Sequence, residues 1–335
     1  MLKNLQRCRR GFSSLSFGGD KVIVTAALNG VLTDPKKFPN IPVTPSQMAQ
    51  AAAEAQDAGA SCVHIHFRDQ RPGKGHLPSW DPSVASACVE AIRDRCPDLL
   101  VNLTTGTFGD RVDAGHPRYA MSGGELGPTA GPIACLEATR PDMAALNSGS
   151  LNYLKATSRG AWAWPPMMFD NPVEKVETML TAMRERAIIP ECECFDTGIV
   201  RSLAMYEAVG LLNPRSYSAS FVMGVASGMP ADPKWLPLLL KELPQEALWQ
   251  TIAIGRQDTT WPLLRRTAEL GGNVRTGLED TMYLPDGRRA DTSGQLIEAL
   301  VTVVREVGRE PCTPAEARMM LSPGPPADLS RAISA

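Results

Sequence analysis

His64 and His66 flank Ile65 inside the apolar run CVHIHF, in a chain with only four histidines. Residues two apart on a strand share a face. Two imidazoles on one face suit a zinc ion, which takes nitrogen and oxygen donors and in catalytic sites keeps one position open. A third ligand is then needed. Glu279 and Asp280 close the run RTGLED, where we place the end of another strand. Buried acids at a strand end are costly unless they face a cation. His64, His66 and Glu279 are therefore the candidate metal ligands. Without an ion, the histidines read as a hydrogen-bonded core pair and Glu279-Asp280 as a surface turn.

Other residues cluster in the same way. Arg275 lies four positions before Glu279, on the same strand face by the two-residue period, and could pair a substrate carboxylate through its planar fork. Glu191 and Glu193 alternate with Cys192 and Cys194 in ECECFD. Two like charges on one strand face raise the pKa of one of them, which suits proton transfer. Glu193 is nearer the strand's C-terminal end and carries the functional expectation, while Glu191 fits a polar interior layer equally well. Thr104, with Gly106 after it in NLTTG, and Asn147 in MAALN are weaker candidates for substrate binding. GVASGMP is a glycine-containing loop of the kind that receives phosphate groups in barrels.

Eight short apolar or β-branched runs could position these residues: 22–28, 62–67, 99–105, 143–147, 191–195, 218–224, 248–254 and 274–279. Helical stretches fill most of the gaps. The first follows Thr44-Pro45 and stops near Gly59, and the last is SGQLIEALVTVVREVG. Strands alternating with helices predict parallel pairing and an α/β fold closed as a (β/α)8 TIM-type barrel. An open doubly wound sheet normally carries a glycine-rich phosphate loop after its first strand. TAALNGVLTD has no such pattern. In a barrel, the C-terminal strand ends form the active-site mouth, where the candidates above fall. The Gly/Pro-rich stretch 106–140 is too long for a plain loop and predicts functional structure or a short helix.

Composition sets the bounds. Of 335 residues, 43% are hydrophobic and 21% charged, with a net charge of −2, so no basic excess points to nucleic acid or to a membrane surface. No apolar run reaches the ~20 residues that span a bilayer. The eight cysteines include no CxxC pair, which argues for a reducing compartment, no disulfide framework and no cysteine-held zinc. We expect a cytoplasmic protein. Residues 1–20 form a basic, serine-containing tail outside the fold; its composition also suits an organellar transit peptide. Residues 21–335 are expected to form a single barrel domain.

Together these segments resemble the β-keto acid cleavage enzymes, the family typified by the 3-keto-5-aminohexanoate cleavage enzyme of lysine fermentation. The matching stretches are TAALNG, PVTPSQMAQAAAEAQDAGASCVHIHFRD, VNLTTG, PDMAALNSGSLNY, PECECFDTG, FVMGVASGMPADPKWL, IAIGR and GGNVRTGLED. They run in family order from about Lys21 to CTPAEARMML. The resemblance implies a (β/α)8 barrel, a divalent metal, usually zinc, and acetyl-CoA as co-substrate. A β-keto acid and acetyl-CoA would exchange to give acetoacetate and a new acyl-CoA. It also implies a homo-oligomer, with a tetramer suggested. His64, His66 and Glu279 fall on the family's metal ligands, and Asp280, Arg275 and Glu193 on its catalytic and substrate-positioning residues. Thr104 falls on a hydroxyl position and Gly106 on a backbone contact. On this reading zinc polarises the ketone, Arg275 pairs a carboxylate or developing oxyanion, Asp280 moves the proton and Glu193 orients ligands or water.

Three departures bear on the substrate. Thr107 replaces the second glycine of the usual TGG, and Ala145 stands where the lysine-fermentation enzyme has threonine. Leu32 stands where that enzyme has the acid that receives the substrate ammonium, which argues against the aminated substrate. Two rivals stay open at this point: a CoA-independent zinc hydrolase or lyase, and a metabolite-binding barrel without catalysis.

Overall fold

The computed structural model describes residues 20–31, 33–108, 113–116, 118–163 and 165–322. Eight parallel strands close a barrel in chain order. They are β1 (Val24–Ala27), β2 (Cys62–Ile65), β3 (Leu100–Thr104), β4 (Met143–Asn147), β5 (Ile189–Cys194), β6 (Ser218–Met223), β7 (Leu248–Ala253) and β8 (Asn273–Thr276). Strand β8 pairs back onto β1 through Val274↔Val24 and Thr276↔Ala26. Strands such as VTAA, CVHI and SASFVM are buried at every position. Both faces are covered, one by helices and one by the packed barrel interior, so these strands read as continuous rather than alternating runs.

The eight expected runs each overlap one barrel strand, and the barrel is the fold the sequence predicts. Two boundaries differ in a way that matters. Strand β8 ends at Thr276, so Glu279 and Asp280 sit in the turn that follows and do not close the strand. His66 likewise stands one position beyond β2. Gly277 permits the turn: a Cβ there would meet the carbonyl oxygen of Ala27 at 2.0 Å.

Several helices begin where a short polar residue caps the first turn. Thr44 caps α1 (Pro45–Asp57) in a reciprocal box with Gln47, and Asp81 caps α2 (Pro82–Arg95). The stretch 106–140 contains a 3-10 turn at Ala120–Ser122 and α3 (Ala130–Thr139). Then follow α4 (Val173–Glu185), α5 (Thr197–Ala208), α6 (Leu236–Glu242), α7 (Gln257–Glu269) and α8 (Ser293–Glu306). An antiparallel hairpin, Leu151–Tyr153 with Met167–Phe169, rises after β4 and has no counterpart among the expected elements. At the opposite end, α9 (Pro314–Leu321) packs Ala317 and Leu321 against Ile23, Cys62, Leu100 and Met143, which lie at or just before the N-terminal ends of β1 to β4. That end is plugged, so the open mouth is the C-terminal one. No described helix is long and apolar enough to cross a membrane. Of the expected tail, only Asp20 falls within the described residues. Seven cysteines, all but Cys8, are described, and each is a buried free thiol.

Candidate active site

Inside the barrel, Glu191 is fully buried at the centre of a polar layer. Its carboxylate accepts hydrogen bonds from Asn102 on β3, from Ser220 Oγ on β6 at 2.5 Å and from Gln250 Nε2 on β7 at 2.7 Å. This is the interior-layer reading of Glu191, with its charge met by donors from three other strands.

Above that layer the candidate ligands converge. His64 Nε2 and His66 Nε2 are 3.2 Å apart, and Glu279 Oε1 lies 3.2 Å from His66 Nε2 and 3.7 Å from His64 Nε2. Donors held tetrahedrally at ~2.0–2.1 Å from one zinc ion would be spaced by about 3.4 Å. The three atoms fit that spacing. Glu279 Oε2 is buried without a hydrogen-bond partner, as expected of an oxygen reserved for a cation. Burial, and then Arg275, hold His64 well below the ordinary imidazole range, so its ring is neutral and its lone pair available. Burial alone would raise Glu279, but His66, Arg275 and His64 together hold its carboxyl well below the usual carboxylate range. The donor set therefore fits a divalent metal.

Two features of the β1 loop hold this cluster. Asn29 clasps the backbone of His66: its Oδ1 accepts from His66 N–H at 2.9 Å and its Nδ2 donates to the His66 carbonyl at 2.9 Å. Gly30, in the left-handed region at φ 50°, leaves the space that the Glu279 side chain fills. Arg68 anchors the same loop from below by donating to the carbonyls of Asn29 at 2.7 Å and Thr33 at 2.8 Å. Sequence reading missed all three as site-builders. Their partners are remote in sequence, as with Arg68 on Asn29 and Gly30 against Glu279, and only the isolated Asn-Gly after an apolar strand hinted at a turn with a purpose.

Arg275 is 1% exposed and faces four carboxyl groups. Its Nε and Nη2 form a two-point contact with Asp280, each at 3.0 Å, and Nη2 also reaches Glu279 Oε1 at 3.0 Å. Nη1 has no hydrogen-bond partner and stands 3.9 Å from Glu193 Oε1. The fork expected for a substrate is thus occupied by Asp280, and Nη1 is the face left over. Burial raises Asp280 to about 6 against the pull of Arg275. Burial, and then Glu191, push Glu193 up to about 8, and its Oε2 accepts from Asn147 Nδ2 at 2.8 Å.

A cavity of about 180 Å³ opens over these groups, lined by His66, Thr104, Gly106, Asn147, Glu193, Arg275, Glu279 and Asp280 among others. Every described candidate from the sequence lines it except Glu191, which is fully buried in the polar layer, and His64, which is buried and joins through Nε2. Leu32 lies outside the described residues. Thr104 Oγ1 accepts from Gly106 N–H at 3.2 Å. Thr105 turns away, its hydroxyl donating to the carbonyl of Ala145 at 2.6 Å. In the GVASGMP loop, the amides of Gly224, Gly228 and Met229 donate to carbonyls of Met229, Val225 and Phe195, so they serve the loop itself.

The β-keto acid cleavage enzyme family matches residues 21–322. The chain belongs to that family. It is 30% identical over 303 residues to a 3-keto-5-aminohexanoate cleavage enzyme of Fusobacterium nucleatum subsp. nucleatum, covering 90% of this chain and 98% of that protein. It is 31% identical over 302 residues to a 3-oxoadipate:acetyl-CoA acetyltransferase of Cupriavidus necator, covering 89% and 94%. A 3-dehydrocarnitine:acetyl-CoA trimethylamine transferase of Rhizobium meliloti is 30% identical over 305 residues, covering 90% and 96%. Among solved structures, a ternary complex of ObcA with a C4-CoA adduct and oxalate superimposes with a TM-score of 0.64 at 18% identity, covering 84% of this chain and 67% of that one. That likeness concerns the fold. The family's relatives differ in the β-keto acid they are named for, so the family leaves the side chain of this enzyme's substrate open.

Proposed function

We propose that the protein is a zinc-dependent acyltransferase that exchanges a β-keto acid with acetyl-CoA, giving acetoacetate and a new acyl-CoA. The observation that carries this reading is the triad of donor atoms at 3.2, 3.2 and 3.7 Å, beside an unpaired guanidinium nitrogen in the same cavity. A ketone and a carboxylate two bonds apart are the groups such a pair of sites can hold at once. The names of the relatives, acetyl-CoA transferases of β-keto acids, support the second substrate.

A divalent ion held by His64, His66 and Glu279 supplies Lewis acidity to the ketone. The rest falls to side chains. Nη1 of Arg275 meets the substrate carboxylate, its charge steadied by the fork on Asp280. Asp280 takes a proton from C2 of the β-keto acid. C2 then attacks the thioester carbon of acetyl-CoA and releases the coenzyme thiolate. The thiolate adds to the original ketone carbon, the bond from that carbon to C2 breaks, and C2 takes back its proton. The products are R–CO–S-CoA and acetoacetate. Glu193, anchored by Asn147, holds a proton near neutral pH and orients the reacting oxygen; Thr104 and Gly106 shape the turn beside it. A metal ion nearby lowers both carboxyl pKa values, which favours Asp280 as the base.

The test is acetyl-CoA dependence with label tracing. Acetyl-CoA labelled in its acetyl group should deliver that label to acetoacetate, and the acyl carbon of the β-keto acid should appear as thioester. Consumption of β-keto acids at an undiminished rate without acetyl-CoA would replace this reading with a CoA-independent hydrolase or lyase. A homo-oligomer is part of the same proposal. Trp162 and Met168, on or beside the hairpin after β4, are exposed apolar side chains, as is the nearby Val173, and light scattering distinguishes a tetramer from smaller species. We place the reaction in the cytoplasm, testable by fractionation of the producing cell.

A further inference from the structure

Four aromatic rings share the lining of the cavity with the donor cluster, and one of them, Phe169, stands beside the Thr104–Gly106 turn. Phe108 follows β3, Tyr153 and Phe169 stand on the two strands of the hairpin, and Phe195 follows β5. Phe108 and Phe169 stack with centroids 4.4 Å apart, while Tyr153 meets Phe108 edge-on at 5.6 Å and Phe195 meets Phe169 edge-on at 5.7 Å. Val225 and Ile254 complete the wall. Among the described residues that line the cavity, every charged one belongs to the metal end: His66, Glu193, Arg275, Glu279 and Asp280.

The wall is also braced. Lys175 Nζ donates to Thr107 Oγ1 at 3.0 Å and to the Asp170 carbonyl at 2.9 Å, and Thr107 donates to the Pro128 carbonyl at 2.8 Å. Thr107 precedes Phe108 and Asp170 follows Phe169. One ammonium group therefore ties together the two segments that carry the stacked rings.

We propose that the enzyme's β-keto acid carries an uncharged, apolar side chain, which the Phe108–Phe169 wall receives, with Lys175 and Thr107 as positioning residues. This rests on the function proposed above, which fixes the carboxylate and ketone at the polar end and so sends the side chain toward the rings. An ammonium or a second carboxylate there would shed water with no described counter-charge. A trimethylammonium group could gain from an aromatic face. The stacking, however, turns one face of Phe108 and one of Phe169 toward each other.

The test pairs acetyl-CoA with 3-oxohexanoate, 3-oxoadipate, 3-keto-5-aminohexanoate and 3-dehydrocarnitine, and measures kcat/KM and, without acetyl-CoA, Kd by calorimetry. We expect 3-oxohexanoate to lead each charged acid by at least about tenfold in both, the scale on which apolar pockets discriminate. Phe108→Ala should reduce that lead while leaving KM for acetyl-CoA unchanged. Val225→Glu, a loop position, should shift the order toward the ammonium-bearing acid. A charged acid leading in Kd overturns the proposal. So does a Phe108→Ala variant that raises KM for acetyl-CoA with the acid ranking intact, because the wall would then serve the pantetheine arm. If no acid turns over with acetyl-CoA, the proposed function falls, yet the order of Kd values still decides the class of side chain.

Discussion

Replacing Gly30 by alanine tests the metal site without removing a ligand. Gly30 sits at φ 50°, where a side chain costs about 1–2 kcal/mol of backbone strain. The added Cβ would also lie 2.7 Å from Cγ of Glu279 and 3.2 Å from its Cδ. Carbon atoms settle at about 3.5–4.0 Å, so the Glu279 side chain must retreat by about 1 Å. It cannot do so freely, because its Oε1 is held 3.2 Å from His66 Nε2 and 3.0 Å from Arg275 Nη2. Bound constellations tolerate displacements of about 0.5 Å. We therefore expect zinc affinity to fall about 10–100-fold, the range seen when the support of a metal ligand is lost. The metal-free protein should lose the backbone strain, about 1–2 kcal/mol, together with whatever the displaced contacts of Glu279 to His66 and Arg275 contribute. Competition with a chelator gives the first quantity and denaturant melts in EDTA the second. Gly30→Ala should also add nothing to Glu279→Ala in a double-mutant cycle on zinc affinity. Wild-type zinc affinity in a measurably destabilised Gly30→Ala protein would show that Glu279 moves without consequence and is not a ligand.

Elemental analysis should find about one zinc per subunit, as expected of a single three-ligand site, and none in the His64→Ala/His66→Ala double variant; full occupancy in that variant rejects these ligands. Arg275→Lys keeps the charge but loses the fork on Asp280. With charge-assisted hydrogen bonds worth about 1.5–3 kcal/mol each, kcat/KM should fall about 10²–10⁴-fold, and near-normal kinetics would move the carboxylate site elsewhere. Asn29→Ala frees the His66 backbone and should weaken zinc about tenfold, a loss read by the same chelator competition and absent if the clasp is only structural. Burial lowers Lys175 to about 8, against the pull of Asp170. The folded state then binds fewer protons than the unfolded chain between that value and the free-lysine range, so this residue makes stability rise as pH climbs from about 8 toward about 10.4. Melts at the two ends of that window should show the rise in wild type and its absence in Lys175→Met; identical pH slopes would mean that Lys175 is effectively solvated.

The barrel was legible because most barrel strands are buried along nearly their whole length and several helices carry a start signal, as at Thr44-Pro45 and Asp81-Pro82. His64 and His66 were legible because a two-residue spacing survives folding unchanged. Glu279 was reached through a strand that the fold ends three residues earlier; the turn after β8 delivers the carboxylate all the same, through the close passage of Gly277 against Ala27. The aromatic wall was not legible at all. Phe108, Tyr153, Phe169 and Phe195 come from three βα connections, with no shared period, and the hairpin that presents two of them has strands of three residues, too short for an alternating pattern to stand out. The clasp of Asn29 on His66 spans 37 positions and depends on the closure of β1 beside β2, which spacing alone does not reveal.

The charge at the centre of the barrel argues for the cation independently of the ligand spacing. Arg275 lies within 4.0 Å of Glu191, Glu193, Glu279 and Asp280. One guanidinium against four ionised carboxylates would leave −3 in a largely buried region. An unpaired buried charge costs several kcal/mol, so the protein must supply protons or a cation. Burial, and then Glu191, push Glu193 up to about 8, so it keeps a proton near neutral pH, while Asp280, raised only to about 6, does not. A divalent ion at Glu279 brings the sum to −1, and one proton, retained on Glu193 as the more strongly raised of the two, brings it to zero. Asp280 is then free to ionise beside Arg275. On the function proposed above, the same count separates the jobs: Glu279 would bind the ion, Asp280 would exchange a proton and Glu193 would keep one, while Glu191 is satisfied by Asn102, Ser220 and Gln250.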